Sequence, residues 1–528
     1  MSIAEANLTA TTEAPKVARP EPRVKGLTHK AYLNAFASLL DAVVKGGVMA
    51  VVTPMVVAGL GSSQFGVWQI LCRLIAYMHA ADGRPTQALK WVIANQQVVE
   101  DDEVKRRHVG SAMGVWLMFL PLLIAISGLL VWISPYITKV PAEMFTTIRL
   151  TCGLLVANFL LIQLVSLPEA VLRGMNLGYK RMGWQAALNV LGGVLTAGAL
   201  YFGAGIIGLA AGQVILVSLT GVLFLVVVKK YVPWFGVARP AFSEIRSFLK
   251  LSVWWFVWTL VSKFLMASDI LILGMVASPS DVTTYTLTSF AGTTLLSLVT
   301  IVLGAVTPGL GGVIGQKQYA RAGEIRIEMM TVSWLLLAAV GSTILLWNRS
   351  FIFLWVGPQH YSGFWANFLM VLMIVQLIYI RNDSYIIDLT LQLRDKVLVA
   401  IVASVVSIGL SALLIPRMGI AGMCLGMITG RMALSISYPL IINRSLGGTW
   451  KPQLGRTVRP ALAMTAMFII CSYLGQMLLV KNWIIWGICS ALTFCIVMGL
   501  AMIAGIDSQL RASLKKRVLM LRTLLISR

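Results

Sequence analysis

Leu60-Gly61-Ser62-Ser63-Gln64-Phe65-Gly66-Val67-Trp68 is an uncharged turn between two long apolar runs, residues 33 to 60 and 66 to 92. A helix needs about 20 apolar residues to cross a bilayer, so each run is long enough and the pair reads as a membrane hairpin. The hairpin also carries ions. Asp41 and Lys45 stand four apart, hence on one face of the first helix, and Arg73 lies roughly a third of the way into the second. An ionisable group at such depth costs at least about 2.5 kcal/mol, so it is expected to face a bundle interior or a wet cavity and marks a candidate functional site.

The rest of the chain has the same character. Hydrophobic residues make up 58% of the 528, charged residues only 12%, and the mean hydropathy is +0.84, which excludes an ordinary soluble domain. A net charge of +23 would point to nucleic acid in a soluble protein. Here its placement gives a different reading, with no nucleic-acid partner. Residues 1–32 are polar, contain Pro15, Pro20 and Pro22 and lack an apolar signal core, so they read as a disordered cytosolic tail rather than a cleaved leader. The six cysteines all fall in apolar runs without metal-ligand spacing and read as inert core thiols.

Further apolar runs lie near 111–134, 148–168, 184–203, 206–228, 249–275, 284–306, 330–347, 364–386, 397–415, 419–442, 458–479 and 483–504, giving about fourteen candidate spans with the hairpin. With both termini cytosolic, about 32 of the 43 Lys and Arg fall in the tails and even-numbered links, the outer links hold Lys139, Arg349, Arg417 and Lys481, and the remainder lie within spans. Adding or dropping one span midway would destroy that bias. Most of the positive charge is therefore an orientation signal. Glu169 and Arg173 at the close of the fourth run are spaced to pair at i,i+4.

Gly205-Ile206-Ile207-Gly208-Leu209-Ala210-Ala211-Gly212 recurs as Gly419-Ile420-Ala421-Gly422-Met423-Cys424-Leu425-Gly426, opening the sixth and the twelfth run after a short outer turn. Two unrelated small-residue packing motifs would look similar, but their equal place in two sets of six favours duplication about an axis along the membrane normal. The expected architecture is all-α: an N-lobe over 33–229, a cytosolic linker over 230–248, a C-lobe over 249–443, an appended helix pair over 444–505 and a basic cytosolic tail over 506–528.

The Leu60-Gly61 turn with Phe65-Gly66-Val67-Trp68, the break at Ala81-Asp82-Gly83-Arg84-Pro85-Thr86, and the stretch Phe351-Ile352-Phe353-Leu354-Trp355-Val356-Gly357-Pro358-Gln359-His360-Tyr361-Ser362-Gly363 together resemble the bacterial polysaccharide flippases. These form the Wzx-type branch of the multidrug/oligosaccharidyl-lipid/polysaccharide (MOP) exporter superfamily. Arg84-Pro85 departs from the plainer family pattern at that break. The resemblance implies two six-helix lobes plus an extra pair, as in polysaccharide and lipid II flippases, whereas the multidrug (MATE) branch commonly has twelve spans. It also implies a cargo, an undecaprenyl-diphosphate-linked oligosaccharide, whose lipid tail would lie in a groove of the appended helices.

No His-Glu-x-x-His, Walker or Gly-x-Ser-x-Gly pattern is present, and the four histidines are scattered, so no enzyme constellation, metal site or cofactor is expected. What remains is a set of intramembrane ions. Lys45, Lys263 and Arg431 fall near the middle of the first, seventh and twelfth spans, with Arg73 somewhat outward in the second. Converging on one central cavity, they would suit a diphosphate, which Arg can fork onto and Lys can meet as a point charge. Each has a plainer reading: pairing with an acid such as Asp41, a bond to kinked backbone, or, for Arg84 and Lys90, snorkelling to the cytosolic interface. Asp41, Asp269, Asp383 and Asp388 are candidates to couple transport to a proton or sodium ion, against a solvated or capping role. Trp254, Trp255, Trp258, Trp347, Trp355, Trp365 and Trp483 would stack on sugars or, more plainly, form interfacial belts.

The leading expectation is a flippase of the bacterial inner membrane that moves a lipid-linked glycan by alternating access, in partnership with membrane lipid and with polysaccharide polymerase and export machinery. A multidrug exporter would need an acid-dominated aromatic cavity. A membrane glycosyltransferase or polymerase would need an acidic catalytic site and a large outer loop, longer than the stretch near 348–363.

Overall fold

The structure, a computed structural model, describes residues 24–505 except 82–84, 96–100, 176, 241, 243–244, 247–260, 263, 265–267, 391–392 and 447–449. Among the described residues every regular element is helical. The helices are α1 (Val24–Ala81), α2 (Pro85–Asn95), α3 (Asp102–Ile137), α4 (Phe145–Gly174), α5 (Met182–Tyr201), α6 (Gly205–Tyr231), α7 (Asp269–Val276) and α8 (Pro279–Thr288). They continue as α9 (Phe290–Gly315), α10 (Tyr319–Trp355), α11 (Phe364–Thr390), α12 (Leu393–Leu446), α13 (Trp450–Met477) and α14 (Trp483–Ala504).

Nine of the helices among the described residues are long and apolar enough to cross a membrane. Two of these are double. α1 breaks at Gly61 (φ 74°, ψ 165°) and α12 at Gly419 (φ 55°, ψ −135°), so each supplies two arms. With α5, and with α8 and α9 running on as one broken span, the order matches the expected two sets of six plus a pair. The seventh span is described only from its outer part, and the basic tail 506–528 lies outside the described residues.

Three boundaries differ from the sequence reading. Helix begins at Val24, inside the stretch expected to be a disordered tail. The run 66–92 is two helices, because Pro85 cannot donate the backbone bond that would carry α1 onward and instead starts α2. The aromatic stretch from Phe351 is the last turn of α10, leaving only residues 356–363 as the link.

The first glycines of the two repeats share a positive φ as well as a position: Gly205 and Gly419 both have φ near +55°, where a side chain would clash with its own carbonyl. Three residues on, Gly208 lies against Ala204 and Ala199, and Gly422 against Leu414 and Met418, so each repeat lets its helix close tightly on the one before.

The helix ends fall into two sets. One, the turn end, holds Gly61, Gly419 and the links 138–144, 202–204, 277–278, 356–363 and 478–482. The other, the basic end, holds the Lys/Arg-rich links. The expected Glu169–Arg173 pair forms there at 2.7 Å and is shared with Arg181 at 2.8 Å.

The hydrophobic core follows the same division. At the turn end a single cluster joins both lobes, from Val56, Phe65 and Ile70 through Ile148 and Phe159 to Leu273, Leu287, Ile352 and Met423. Toward the basic end the lobes keep separate cores, the second of which also runs up to Trp347 and Val480. One is built on Leu89, Val109, Val171 and Val228, the other on Leu337, Ile378, Ile387 and Tyr438 together with Phe468 and Ala501 of the appended pair. That pair is fixed to α10 by Trp347 donating to Thr493 Oγ1 (2.9 Å) and Arg349 to the Gln476 carbonyl (2.6 Å).

Candidate functional site: an ionic cluster between the lobes

Arg431 is 1% exposed and heads the fully buried side chains by size. It lies on the second arm of α12, 12 residues past Gly419, and Arg73 lies on the second arm of α1, 12 residues past Gly61. At 1.5 Å per residue both sit about 18 Å from their turns, a little beyond the middle of a hydrocarbon layer about 30 Å thick. One acid stands close to Arg431. Asp269, at the start of α7, is within electrostatic reach of Arg431, and Tyr77 lies within reach of both Asp269 and Arg73.

Two tyrosines complete the group. Tyr285 of α8 donates to Asp269 Oδ2 at 2.6 Å, while the buried Oδ1 accepts no hydrogen bond among the described residues. Tyr77, one turn beyond Arg73, hydrogen-bonds Ser268 and meets Phe264 edge to face at 5.4 Å. The cluster therefore straddles the lobes, with α1 contributing Arg73 and Tyr77 and the C-lobe contributing Asp269, Tyr285 and Arg431. The guanidinium groups of Arg73 and Arg431, linked through Tyr77 and Asp269, are the fork donors that the oxygens of an anion would meet.

The structure brings three of the eight sequence-derived site residues together: Arg73, Asp269 and Arg431. Lys45 is exposed on the first arm of α1, 16 residues before Gly61 and so about 24 Å from the turn. It does not pair with Asp41, which instead accepts from Asn189 of α5 at 2.8 Å. Lys263 lies outside the described residues. Asp383 is held by Arg326 in a two-pronged pair, Nε to Oδ1 at 2.9 Å and Nη2 to Oδ2 at 3.0 Å, with both side chains buried. Asp388 takes the Lys396 ammonium at 2.5 Å. Both acids thus have a cation of their own toward the basic end.

Tyr77 and Tyr285 were not legible as site residues. Each sits in a run of apolar or hydroxylated residues, and only the packing of α1 on α7 and α8 reveals their partner. Of the tryptophans, Trp347 and Trp355 are bound to backbone and side chains inside the protein, Trp365 and Trp483 are exposed, and Trp254, Trp255 and Trp258 lie outside the described residues. Among the described residues no group of three His, Cys, Asp or Glu could hold a metal.

No protein-family model matches the chain, and no curated protein matches it in sequence. Solved structures do match in fold. The lipid II flippase MurJ in an inward closed conformation superposes with a TM-score of 0.64 at 13% identity, covering 88% of this chain and 98% of that one. An inward-facing multidrug resistance MATE family transporter of the MOP superfamily gives 0.60 at 14% identity over 80% of this chain and 95% of its own, and its outward-facing counterpart gives 0.54. The fold is that of the MOP-superfamily transporters, and the chain is a multi-pass membrane protein.

Proposed function

We propose that this protein is a flippase that carries an undecaprenyl-diphosphate-linked oligosaccharide from the cytosolic to the outer leaflet of a bacterial inner membrane, for surface polysaccharide or exopolysaccharide. The observation that carries the reading is the inter-lobe cluster, in which Asp269 lies within electrostatic reach of Arg431, and Tyr77 within reach of both Asp269 and Arg73. In this reading the diphosphate takes the place of Asp269 beside Arg431 and is met by Arg73, with Lys45 and Lys263 meeting it on the way in. Of the four acids, Asp269 is the one with a buried carboxylate oxygen that has no hydrogen-bond partner among the described residues. Once the substrate occupies its counter-charges it is the group to take up a proton or sodium ion. Asp41, Asp383 and Asp388, each already held, would bear on coupling only through their partners.

The two lobes joined at the turn end, with separate cores at the basic end, fit a carrier waiting for cargo from the side marked cytosolic by its charge. In this reading both termini are cytosolic. The appended α13–α14 pair, outwardly apolar along Ile469, Ile484, Ile488 and Ile496, would accompany the polyprenyl tail. The fold likeness to lipid II flippase covers more of this chain than that to the MATE transporters.

The test is reconstitution in vesicles with a fluorescent undecaprenyl diphosphate glycan in one arm and a cationic dye in the other. Movement of the lipid that falls at least tenfold in Arg431→Ala is expected. Dye extrusion without lipid movement would mean a multidrug exporter instead.

A further inference from the structure

Pro54 lies inside the first arm of α1 and has no N–H to give the carbonyl of Ala50, four residues before it. In a membrane such a carbonyl must find another donor. The protein answers this problem locally elsewhere: the Val131 carbonyl, left by Pro135 in α3, accepts from Ser134 Oγ of the same turn at 2.9 Å. At Ala50 the donor comes from the opposite lobe. The indole N–H of Trp355, the last residue of α10, reaches the Ala50 carbonyl at 2.6 Å.

Trp355 is held in place from behind. Its ring packs 4.6 Å from Phe290 and 5.0 Å from Phe351, and Phe351 continues to Trp486 of α14 at 5.4 Å. Two further bonds cross between the lobes here, from Thr283 Oγ1 of α8 to the Ser62 carbonyl at 2.5 Å and from Lys139 Nζ to the Ala277 carbonyl at 3.2 Å. Gly66 lies so close to Pro279 that a Cβ would fall 1.8 Å from its carbonyl oxygen. All of these contacts must part if the turn end opens.

We propose that the Trp355 indole and the proline-freed Ala50 carbonyl form a releasable latch that biases the turn end toward closure. Within the closed interface the carbonyl has Trp355 as donor. When the lobes part, water replaces the indole, so the bond shifts the balance without locking it. The latch is independent of the cargo and would stand if the flippase reading failed.

Hydrogen–deuterium exchange of the full chain in nanodiscs tests it, read on peptides covering 60–66 and 276–283. Trp355→Phe keeps the ring and removes the donor. Pro54→Ala keeps the donor and restores an amide that occupies Ala50. Each should raise exchange at the turn end roughly fivefold, the effect of one net hydrogen bond. The double variant should exchange no faster than either single one, because both remove the same bond. No change in Trp355→Phe, or effects that multiply in the double variant, would overturn the latch. Pro54→Gly supplies the same amide and replaces Pro54→Ala if that variant fails to insert.

Discussion

Arg431 was legible in the sequence because a guanidinium in the middle of an apolar run has no cheap explanation, and Arg73 for the same reason. Asp269 was legible as a coupling candidate, but its place beside Arg431 was not. Asp269 precedes an apolar helix and looks like an ordinary capping residue until α7 is packed on α1 and α12. Removing one partner of a buried charge group costs more than removing both, since the survivor stays in low dielectric without its counter-charge. Arg431→Ala should therefore destabilise the protein, and adding Asp269→Asn should restore part of the loss while leaving transport abolished. Thermal unfolding and the vesicle assay read the two effects separately. Asp383 makes a different case. Held bidentately by Arg326 among buried neighbours, it should respond to Asp383→Asn by losing about 3 kcal/mol of stability. A melting temperature unchanged in that variant would mean that the pair has no structural role.

At the scale of the element, the duplicated glycine motif gave away the architecture, and its hydropathy gave the spans. Boundaries were less legible, because a helix that continues past the hydrocarbon into polar surroundings, as α1 does from Val24 and α3 from Asp102, looks like a link to any measure of apolarity. The repeats also differ in a way no pattern of small residues reveals. A Cβ on Gly212 would meet only Leu195, at an ordinary 3.6 Å, whereas one on Gly426 would fall 2.4 Å from the Ser411 backbone nitrogen. Gly212→Ala should be tolerated, and Gly426→Ala should force the two arms of α12 apart at a cost of about 2 kcal/mol. Equal melting temperatures for the two variants would show that the second repeat is looser than its geometry.

At the scale of the whole molecule, hydropathy made the number of spans legible and charge gives their expected direction, but neither says which way the lobes lean. That depends on contacts between residues hundreds of positions apart, such as Thr283 with Ser62, for which composition carries no signal. The resulting shape makes a directional prediction. Arg73 is half-buried, and the interface above it is closed by the joint core and the turn-end bonds, so water should reach position 73 from the basic end. A cysteine introduced as Arg73→Cys, with Cys72 replaced by serine, should react with a membrane-impermeant maleimide added to the basic face and resist the same reagent added to the turn face. Combining it with Trp355→Phe should open some reactivity from the turn face, because releasing the latch shifts population toward the outward state. Labelling from the turn face alone would place the closed gate at the opposite end of the molecule, and the inward-leaning arrangement of the lobes would have to be abandoned as the resting state.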